Sequence, residues 1–240
     1  MANIKVAVIN HCSALNNDDV SKVVAVLQKQ VHQDFAPIWG IDADLVFVPR
    51  DADPPADHWW LLIMDRSDDP SLTGSHNLNP EGLPTGRVFA KSDMEKQLKW
   101  TVTASHELLE MLADPAINLS VFIESGSKHG KLYAYEVCDP CEGDGYGYEI
   151  DGVTVSNFVF PSWFEPFRKP GAQFDFQKKI EKAFQLLPGG YIGVLDIKSE
   201  TGWQQISKDS QRSPRQQAHP YSRRERRRTS PASQSSGLTA

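Results

Sequence analysis

The pattern of apolar and polar positions predicts that the chain opens as strand, helix, strand, strand. The helix is expected to begin at Asn17 or Asp18, either of which can cap it, and to continue to about Gln33. Its apolar side chains recur at intervals of three and four residues, which places them on one face: Val20, Val23, Val24, Leu27 and Val31. The three strands are short apolar runs, at 4–9, Ala43–Val48 and His58–Met64. This order is typical of an α/β opening.

The middle of the chain alternates between turn-forming and helix-forming sequence. Residues 65–86 are rich in Asp, Pro, Gly, Ser and Asn, which predicts a long loop, and we interpret His76 within it as a surface histidine. A short strand is predicted at Arg87–Ala90, followed by a helix from about Met94 to Ala113. Asp114-Pro115 ends that helix, because proline cannot continue it and disfavours helical geometry in the preceding residue.

The second half of the chain is predicted to be β-rich. Asp151-Gly152 between alternating residues indicates a hairpin. From about residue 208 the composition changes to Ser, Gln, Arg and Pro without an apolar pattern, which predicts a disordered tail over 208–240. Residues 1–207 are expected to form a single α/β (α+β) domain, with a mixed sheet and a β-rich second half. The strands predicted there are Ser120–Ile123, Lys131–Val137, Gly147–Ile150, Val153–Phe160 and Tyr191–Leu195.

Charge is distributed unevenly along the 240 residues, whose net charge is −6. Residues 208–240 carry +6 of it, so the rest of the chain carries −12. An acidic body is not expected to bind nucleic acid, except through the basic tail with its run Arg223–Arg228. Acidic side chains are also the ligands that hard and borderline cations need.

Neither a membrane span nor a secretion signal is expected. The apolar run Val6–Ile9 is too short for a signal-peptide core, and no stretch approaches 18 apolar residues. The three cysteines are odd in number and few, which is typical of a reducing compartment. We therefore expect a cytoplasmic protein.

The helix that ends at Ala113 carries the residues with the clearest chemistry. His106 and Glu110 are four positions apart, so they project from one face, and Glu107 lies beside them. This is the spacing of the His-Glu-x-x-His zinc helix with glutamate in the second ligand position, and Glu107 stands where a general base would. The helix is apolar on several sides, so burial of these groups without a partner would cost several kcal/mol, which a bound cation relieves. The alternative is an ordinary solvated helix face.

Three segments together resemble known proteins. They are Gly82–Ala90, Ser105–Glu110 and Tyr135–Asp144, the last reading Tyr-Glu-Val-Cys-Asp-Pro-Cys-Glu-Gly-Asp. They resemble a group of bacterial and phage proteins and, more remotely, the plant Exordium family. There a Ser/Ala-His-Glu-Leu-x-Glu helix ends in Asn-Pro or Asp-Pro and is followed by Glu-Ile-x-Asp-x-Cys-Glu-Gly. The resemblance covers about residues 82–165.

The order of these segments also resembles a zincin metallopeptidase of the glutamate-ligand type. That resemblance implies a zincin-like fold whose active-site helix follows an edge strand, here Arg87–Ala90, that pairs with an extended peptide. It implies a divalent metal, with zinc favoured, and a peptide or protein substrate. Its catalytic base would be Glu107. Its metal residues would be His106, Glu110, Glu136 and Asp139, with Glu136 as third ligand and Asp139 orienting His106, or these two in exchanged roles.

The sequence departs from the zincin pattern at Glu110, where histidine is usual. Two carboxylates cancel the charge of a zinc ion, so the ion polarises water less and harder ions compete for the site. The alternative to a hydrolase is therefore a non-catalytic binding protein of the same fold with a structural or vestigial metal site. Nearby polar residues are interpreted as turn or packing residues rather than site residues: Cys138, Cys141, Glu142, Asp144, Tyr146 and Tyr148.

Overall fold

The structure, a computed structural model, describes residues 4–124, 129–165, 170–199 and 201–208. Apart from residue 208, the predicted disordered tail, with Arg223–Arg228, lies outside these residues. The described helices are α1 (Asn17–Lys29), α2 (Ala36–Trp39), α3 (Ala90–Glu95) and α4 (Trp100–Ala113), with a π-helix at Gln30–Phe35 between α1 and α2. The described strands are β1 (Ile4–Asn10), β2 (Ala43–Val48), β3 (Trp59–Met64), β4 (Gly74–Leu78), β5 (Pro84–Phe89), β6 (Ser120–Glu124), β7 (Gly130–Ala134), β8 (Tyr148–Ile150), β9 (Val153–Val155), β10 (Tyr191–Asp196) and β11 (Trp203–Ser207).

The chain has a mixed α+β architecture with three sheets among the described residues. The first sheet has the order β2-β1-β3-β5-β4, in which four strands are parallel and β4 is antiparallel at one edge. The second sheet, β11-β10-β7-β6, is antiparallel, and β8 and β9 form a separate hairpin. The strands predicted at the start of the chain are confirmed as β1, β2 and β3. The continuous apolar run of β1 suits a central strand buried on both faces.

The predicted long loop over 65–86 is wrong in part, because it contains β4. This strand pairs with β5 from Gly74 opposite Val88 to Leu78 opposite Pro84. The short strand predicted at Arg87–Ala90 is confirmed for its first three residues, which belong to β5, but its expected edge position is wrong because β5 lies between β3 and β4. Turn-forming residues here adopt a strand because β5 supplies the hydrogen bonds, and this pairing is not visible in local sequence.

The single helix predicted over Met94–Ala113 is two helices. The chain leaves α3 after Glu95, passes through Gln97 with a φ of 59°, and re-enters helix at Trp100. The backbone N–H of Lys99 donates to Asp144 at 2.9 Å, so a side chain from a distant turn fixes the start of α4. The predicted end of α4 at Ala113, before Asp114-Pro115, is confirmed.

Helix α4 lies at the centre of the molecule. Its neighbours are β4 and β5 of the first sheet and β9 of the hairpin, and nearly all of its side chains are buried. The predicted turn of that hairpin is confirmed, since Asp151 and Gly152 both have positive φ, as a type I′ turn requires. None of the helices that the structure describes has the length and apolar character needed to cross a membrane.

Candidate metal centre

The last two turns of α4 present His106 and Glu110 on one buried face. The Nε2 atom of His106 lies 3.2 Å from Oε2 of Glu110. Both side chains are almost fully excluded from solvent. The prediction that the helix buries these ionisable groups is confirmed, and it follows from the apolar residues that surround them in the sequence.

A short turn at Asp139–Cys141 closes the site from the opposite side. The backbone N–H groups of Cys138 and Asp139 donate to Oε1 of Glu110 at 3.1 and 3.2 Å, which leaves Oε2 directed at His106. Asp139 Oδ1 lies 3.2 Å from the same His106 Nε2 atom. Of the two predicted partners for His106, Asp139 is therefore the one in direct contact.

The position of this turn depends on a glycine. A Cβ atom on Gly190 would collide with the carbonyl oxygen of Pro140, so only glycine allows the chain before β10 to pass here. The same oxygen accepts the backbone N–H of Leu187 at 3.0 Å. The segment 187–190 thus holds the turn that carries Asp139.

Strand β4 adds a residue that the sequence analysis misassigned. His76 is only 1% exposed, so its interpretation as a surface histidine is wrong. Its Nδ1 atom lies 3.3 Å from Oε2 of Glu107 and 3.8 Å from Oε2 of Glu110. Its Nε2 atom lies 3.5 Å from Oε2 of Glu136. No local pattern marks His76; its role follows from the pairing of β4 with β5, which brings it over α4.

The electrostatics of the cluster are those of crowded buried acids. Burial alone would lower the pKa of His106, but Glu110 and Asp139 together raise it well above its ordinary value. Burial and the charge of Glu110 raise the pKa of Asp139 to about 7. Burial also raises the pKa of the Cys138 thiol well above its usual value. Without a cation, protons and imidazolium groups must neutralise the carboxylates.

The donor atoms fall into two sets that share Glu110. One set is His106, Glu110 and Cys138, and the other is His76, Glu110 and Glu136; within each set the donor atoms all lie within 4.8 Å of one another. Bonds of ~2.0–2.1 Å around a tetrahedral zinc ion place its ligands roughly 3.3 Å apart. The contacts of His106 with Glu110 and Asp139 have that spacing. The donor chemistry and spacing therefore fit a divalent ion.

The predicted ligands do not all meet at one point. His106, Glu110 and Asp139 are neighbours on the turn side, whereas Glu136 is next to His76 on the β4 side. Glu107 is also on the β4 side, where its Oε2 atom lies 3.3 Å from Nδ1 of His76. Glu136 and Asp139, whose roles the sequence leaves exchangeable, therefore contact different histidines.

A cleft of about 650 Å³ opens beside His106 and Glu107. One wall is the start of β4, where a Cβ on Gly74 would lie 2.5 Å from Oε1 of Glu107. Glycine at this position lets the strand run directly over the carboxylate. The remaining walls come from α4, from the turn at residues 142–146 and from the chain at the start of β10. They include Glu142, Asp144, Tyr146 and Tyr191.

Several residues interpreted as turn or packing residues can now be placed. The hydroxyl of Tyr148 donates to Asp34 at 2.8 Å, which is a packing role. Cys138 and Cys141 are buried free thiols, and burial raises both of their pKa values. The Cys-x-x-Cys spacing of these two residues occurs in redox pairs, but a redox pair needs a lowered thiol pKa, so the raised values do not favour a redox function. Cys138 nevertheless belongs to the donor set around His106.

A polar network fixes the orientation of α4 just before His106. The Ser105 hydroxyl donates to Oε1 of Gln30 at 2.6 Å and accepts the backbone N–H of Ser156 at 3.0 Å. Nε2 of Gln30 donates to the Ser156 carbonyl at 2.9 Å, which closes a three-residue ring of hydrogen bonds. Because Gln30 begins the π-helix, this irregular turn is tied to the rotation of α4.

Comparisons of the chain with protein families, curated proteins and solved structures found no match.

Proposed function

We propose that this chain is a metal-dependent hydrolase with a zincin-like fold that acts on peptides. The observation that carries the proposal is the group of four carboxylates and two imidazoles buried against one another beside a cleft. Burial of so many acids together is unfavourable unless a cation compensates them. The four carboxylates are Glu107, Glu110, Glu136 and Asp139.

His106, Glu110 and Asp139 would hold the ion. Two of these ligands come from successive turns of one rigid helix, and the third comes from a turn that two backbone N–H groups attach to Glu110. Such fixed donors keep a coordination geometry without reorganisation. A divalent ion bound there would act as a Lewis acid on a carbonyl oxygen and would make water a stronger nucleophile.

Glu107 would serve as the general base. It borders the cleft, and its Oε2 atom lies 3.3 Å from Nδ1 of His76, which restricts its orientation. A carboxylate in this position can accept a proton from water and pass it to the leaving amine. Gly74 brings the backbone of β4 against the same carboxylate.

The shape of the cleft supports an extended peptide as substrate. Residues 71–74, which lead into β4, form one wall of the cleft, and β4 is the outermost strand of its sheet among the described residues. An outer strand can pair with an extended chain through main-chain hydrogen bonds. The edge strand expected at Arg87–Ala90 is thus replaced in this role by β4.

The test joins metal analysis to peptide cleavage. Purified full-length protein is analysed by inductively coupled plasma mass spectrometry and incubated with a peptide library whose products are read by mass spectrometry. We expect stoichiometric metal and cleavage in the wild type, metal without cleavage in Glu107→Gln, and a lower metal content without cleavage in His106→Ala. His11→Ala, which changes an exposed histidine, is the matched control. Protein without stoichiometric metal would contradict the proposal.

A second candidate is a metal-binding protein of the same fold without catalytic activity. The charges of Glu110 and Asp139 favour it, because two carboxylates cancel a +2 ion and weaken its pull on water. This candidate predicts full metal content and a melting temperature that falls on chelation, with no cleavage of any library peptide. Cleavage that depends on Glu107 rules it out.

A further inference from the structure

We propose that the centre binds two divalent cations that share the carboxylate of Glu110, one on the Asp139 side and one on the β4 side. The first ion is that of the proposed function, on which this inference rests. The second ion would be held by His76, Glu110 and Glu136.

Donor atoms gather on both sides of Glu110: His106, Glu110 and Cys138 form one set, with Asp139 3.2 Å from His106, and His76, Glu110 and Glu136 form the other. Oε2 of Glu110 contacts both imidazoles, at 3.2 Å from His106 Nε2 and 3.8 Å from His76 Nδ1. The β4-side set contains one nitrogen and two carboxylate donors within 4.8 Å of one another. A mixed nitrogen and oxygen set of this kind suits Zn²⁺ or Mn²⁺. Carboxylate-bridged ions about 3.5–4 Å apart recur in two-metal hydrolases.

The second set is built on ordered structure. His76 lies in the middle of β4, where Gly86 of β5 is its paired residue. Glu136 follows β7 and is 2% exposed, and His76 is 1% exposed. His76 lies on a strand and Glu110 on a buried helix, and Glu136 is a buried residue two positions after a strand, so binding would cost little conformational entropy.

Charge balance gives a separate reason for a second ion. The carboxylates of Glu107, Glu110, Glu136 and Asp139 bring −4 into the buried cluster when all are ionised. Histidine binds a metal ion through a neutral ring, so the ligand imidazoles add no charge. One divalent ion leaves −2 uncompensated, and two ions neutralise the cluster. The second ion also restores the positive field that Glu110 and Asp139 remove from the first.

The experiment counts ions per chain. Full-length protein is stripped with a chelator, titrated with Mn²⁺ and measured by native mass spectrometry. We expect two ions in the wild type and in His11→Ala, and one in Glu136→Gln and in His76→Gln. Electron paramagnetic resonance should show a coupled Mn²⁺ pair in the wild type and a six-line single-ion spectrum in the two variants.

Glu136→Gln is nearly isosteric, so it decides the question if His76→Gln fails to fold by circular dichroism. One ion in the wild type, retained in Glu136→Gln, would overturn the two-ion site and leave the proposed function standing. Two ions in the wild type that persist in Glu136→Gln would overturn the ligand assignment. No bound ion in the wild type would overturn both proposals together.

Discussion

Two regions of this molecule bury carboxylates, and they do so in opposite ways. Asp175 is fully buried, and its oxygens accept hydrogen bonds from Nδ2 of Asn157 at 2.7 Å and from the backbone N–H groups of Lys179 and Ile180 at 3.1 and 2.7 Å. In the cluster beside α4, Oε1 of Glu110 also accepts backbone N–H groups, but Oε2 of Glu110 and oxygens of the other three carboxylates face imidazoles.

The difference separates a structural acid from a candidate ligand. Hydrogen bonds from fixed N–H groups stabilise the charge of Asp175 without any ion. The α4 cluster concentrates more negative charge than its two histidines can neutralise. Burial alone therefore does not identify a metal ligand; the chemistry of the groups around the carboxylate does.

The largest expected effect is on catalysis. Glu107→Gln should lower kcat/KM by about 10²–10⁴-fold, the usual contribution of a general base, because the amide cannot accept the proton. Its metal content and melting temperature should match those of the wild type. The measurement is steady-state kinetics on a peptide cleaved by the wild type. Equal activity in the variant would remove Glu107 from the chemistry.

The next largest effect is expected at Asp175, where a substitution should lower stability without affecting catalysis. Asp175→Asn should lower the free energy of unfolding by about 3 kcal/mol, since the amide cannot satisfy the donors that face the carboxylate. Denaturant titration measures this. The remaining folded protein should keep wild-type metal content and kcat. Loss of metal in folded Asp175→Asn would show that the two regions are not independent.

Removal of metal tests whether the stability of the α4 cluster depends on bound ions while that of the Asp175 region does not. At an ion concentration 100-fold above Kd, each bound ion adds about 2.7 kcal/mol to stability, and a chelator should remove this contribution. Calorimetry should show a lower melting temperature for wild type and for Asp175→Asn. His106→Ala should respond less to the chelator than the wild type does, because it lacks the ion beside Asp139, and a response of the same size there would place that ion elsewhere.

A smaller effect is expected at the support of the Asp139 turn. Gly190→Ala should cost about 1–2 kcal/mol, because the new methyl group displaces the carbonyl of Pro140. Since Asp139 lies next to Pro140, metal affinity should fall as well. Gly145→Ala, at a glycine with open space around it, is the control. Unchanged affinity in Gly190→Ala would mean that the turn adapts without moving Asp139.

The smallest effect concerns Asp93, a buried carboxylate with one oxygen hydrogen-bonded, like those of Asp175, and one oxygen that, within the described part of the chain, is not. One oxygen of Asp93 accepts from the Thr103 hydroxyl at 2.7 Å, while the other has no hydrogen-bond partner among the described residues. Burial raises the pKa of Asp93 to about 6. The folded state therefore favours the protonated acid, and this contribution is complete below about pH 4 and lost as the pH rises through about 6.

Asp93→Asn should remove that pH dependence. After allowance for solvent screening, the variant should gain about 1 kcal/mol relative to wild type between pH 4 and pH 8. Parallel denaturant titrations of the two proteins at these pH values measure the difference, in which other titrating groups cancel. A constant difference across the range would show that Asp93 is ionised throughout.

Local sequence predicted those parts of the fold and site that local interactions determine. The apolar runs of β1 to β3, the end of α4 at Asp114-Pro115 and the Asp151-Gly152 turn each depend on neighbouring residues. The burial of His106 and Glu110 likewise followed from the apolar residues of their own helix.

The features that the sequence did not predict depend on distant partners. Strand β4 has the composition of a loop and exists because β5 pairs with it, so His76 was misassigned. The break between α3 and α4 depends on Asp144, which is 45 residues away from Lys99. The separation of Glu136 from Asp139 depends on which wall of the site each faces, and spacing along the chain does not determine that.

The π-helix at Gln30–Phe35 makes the fold sensitive to the number of residues between Gln30 and Trp39. The segment from Gln30 to Trp39 is anchored at both ends by side-chain hydrogen bonds. Gln30 donates to the carbonyl of Ser156, and Trp39 donates to the carbonyl of Val159. A π-turn accommodates one residue more than an α-turn, and deletion of one residue would rotate the chain beyond it by about 100°. Both anchors could then not be satisfied together. Substitutions between Gln30 and Trp39 should therefore be tolerated more readily than a single-residue deletion.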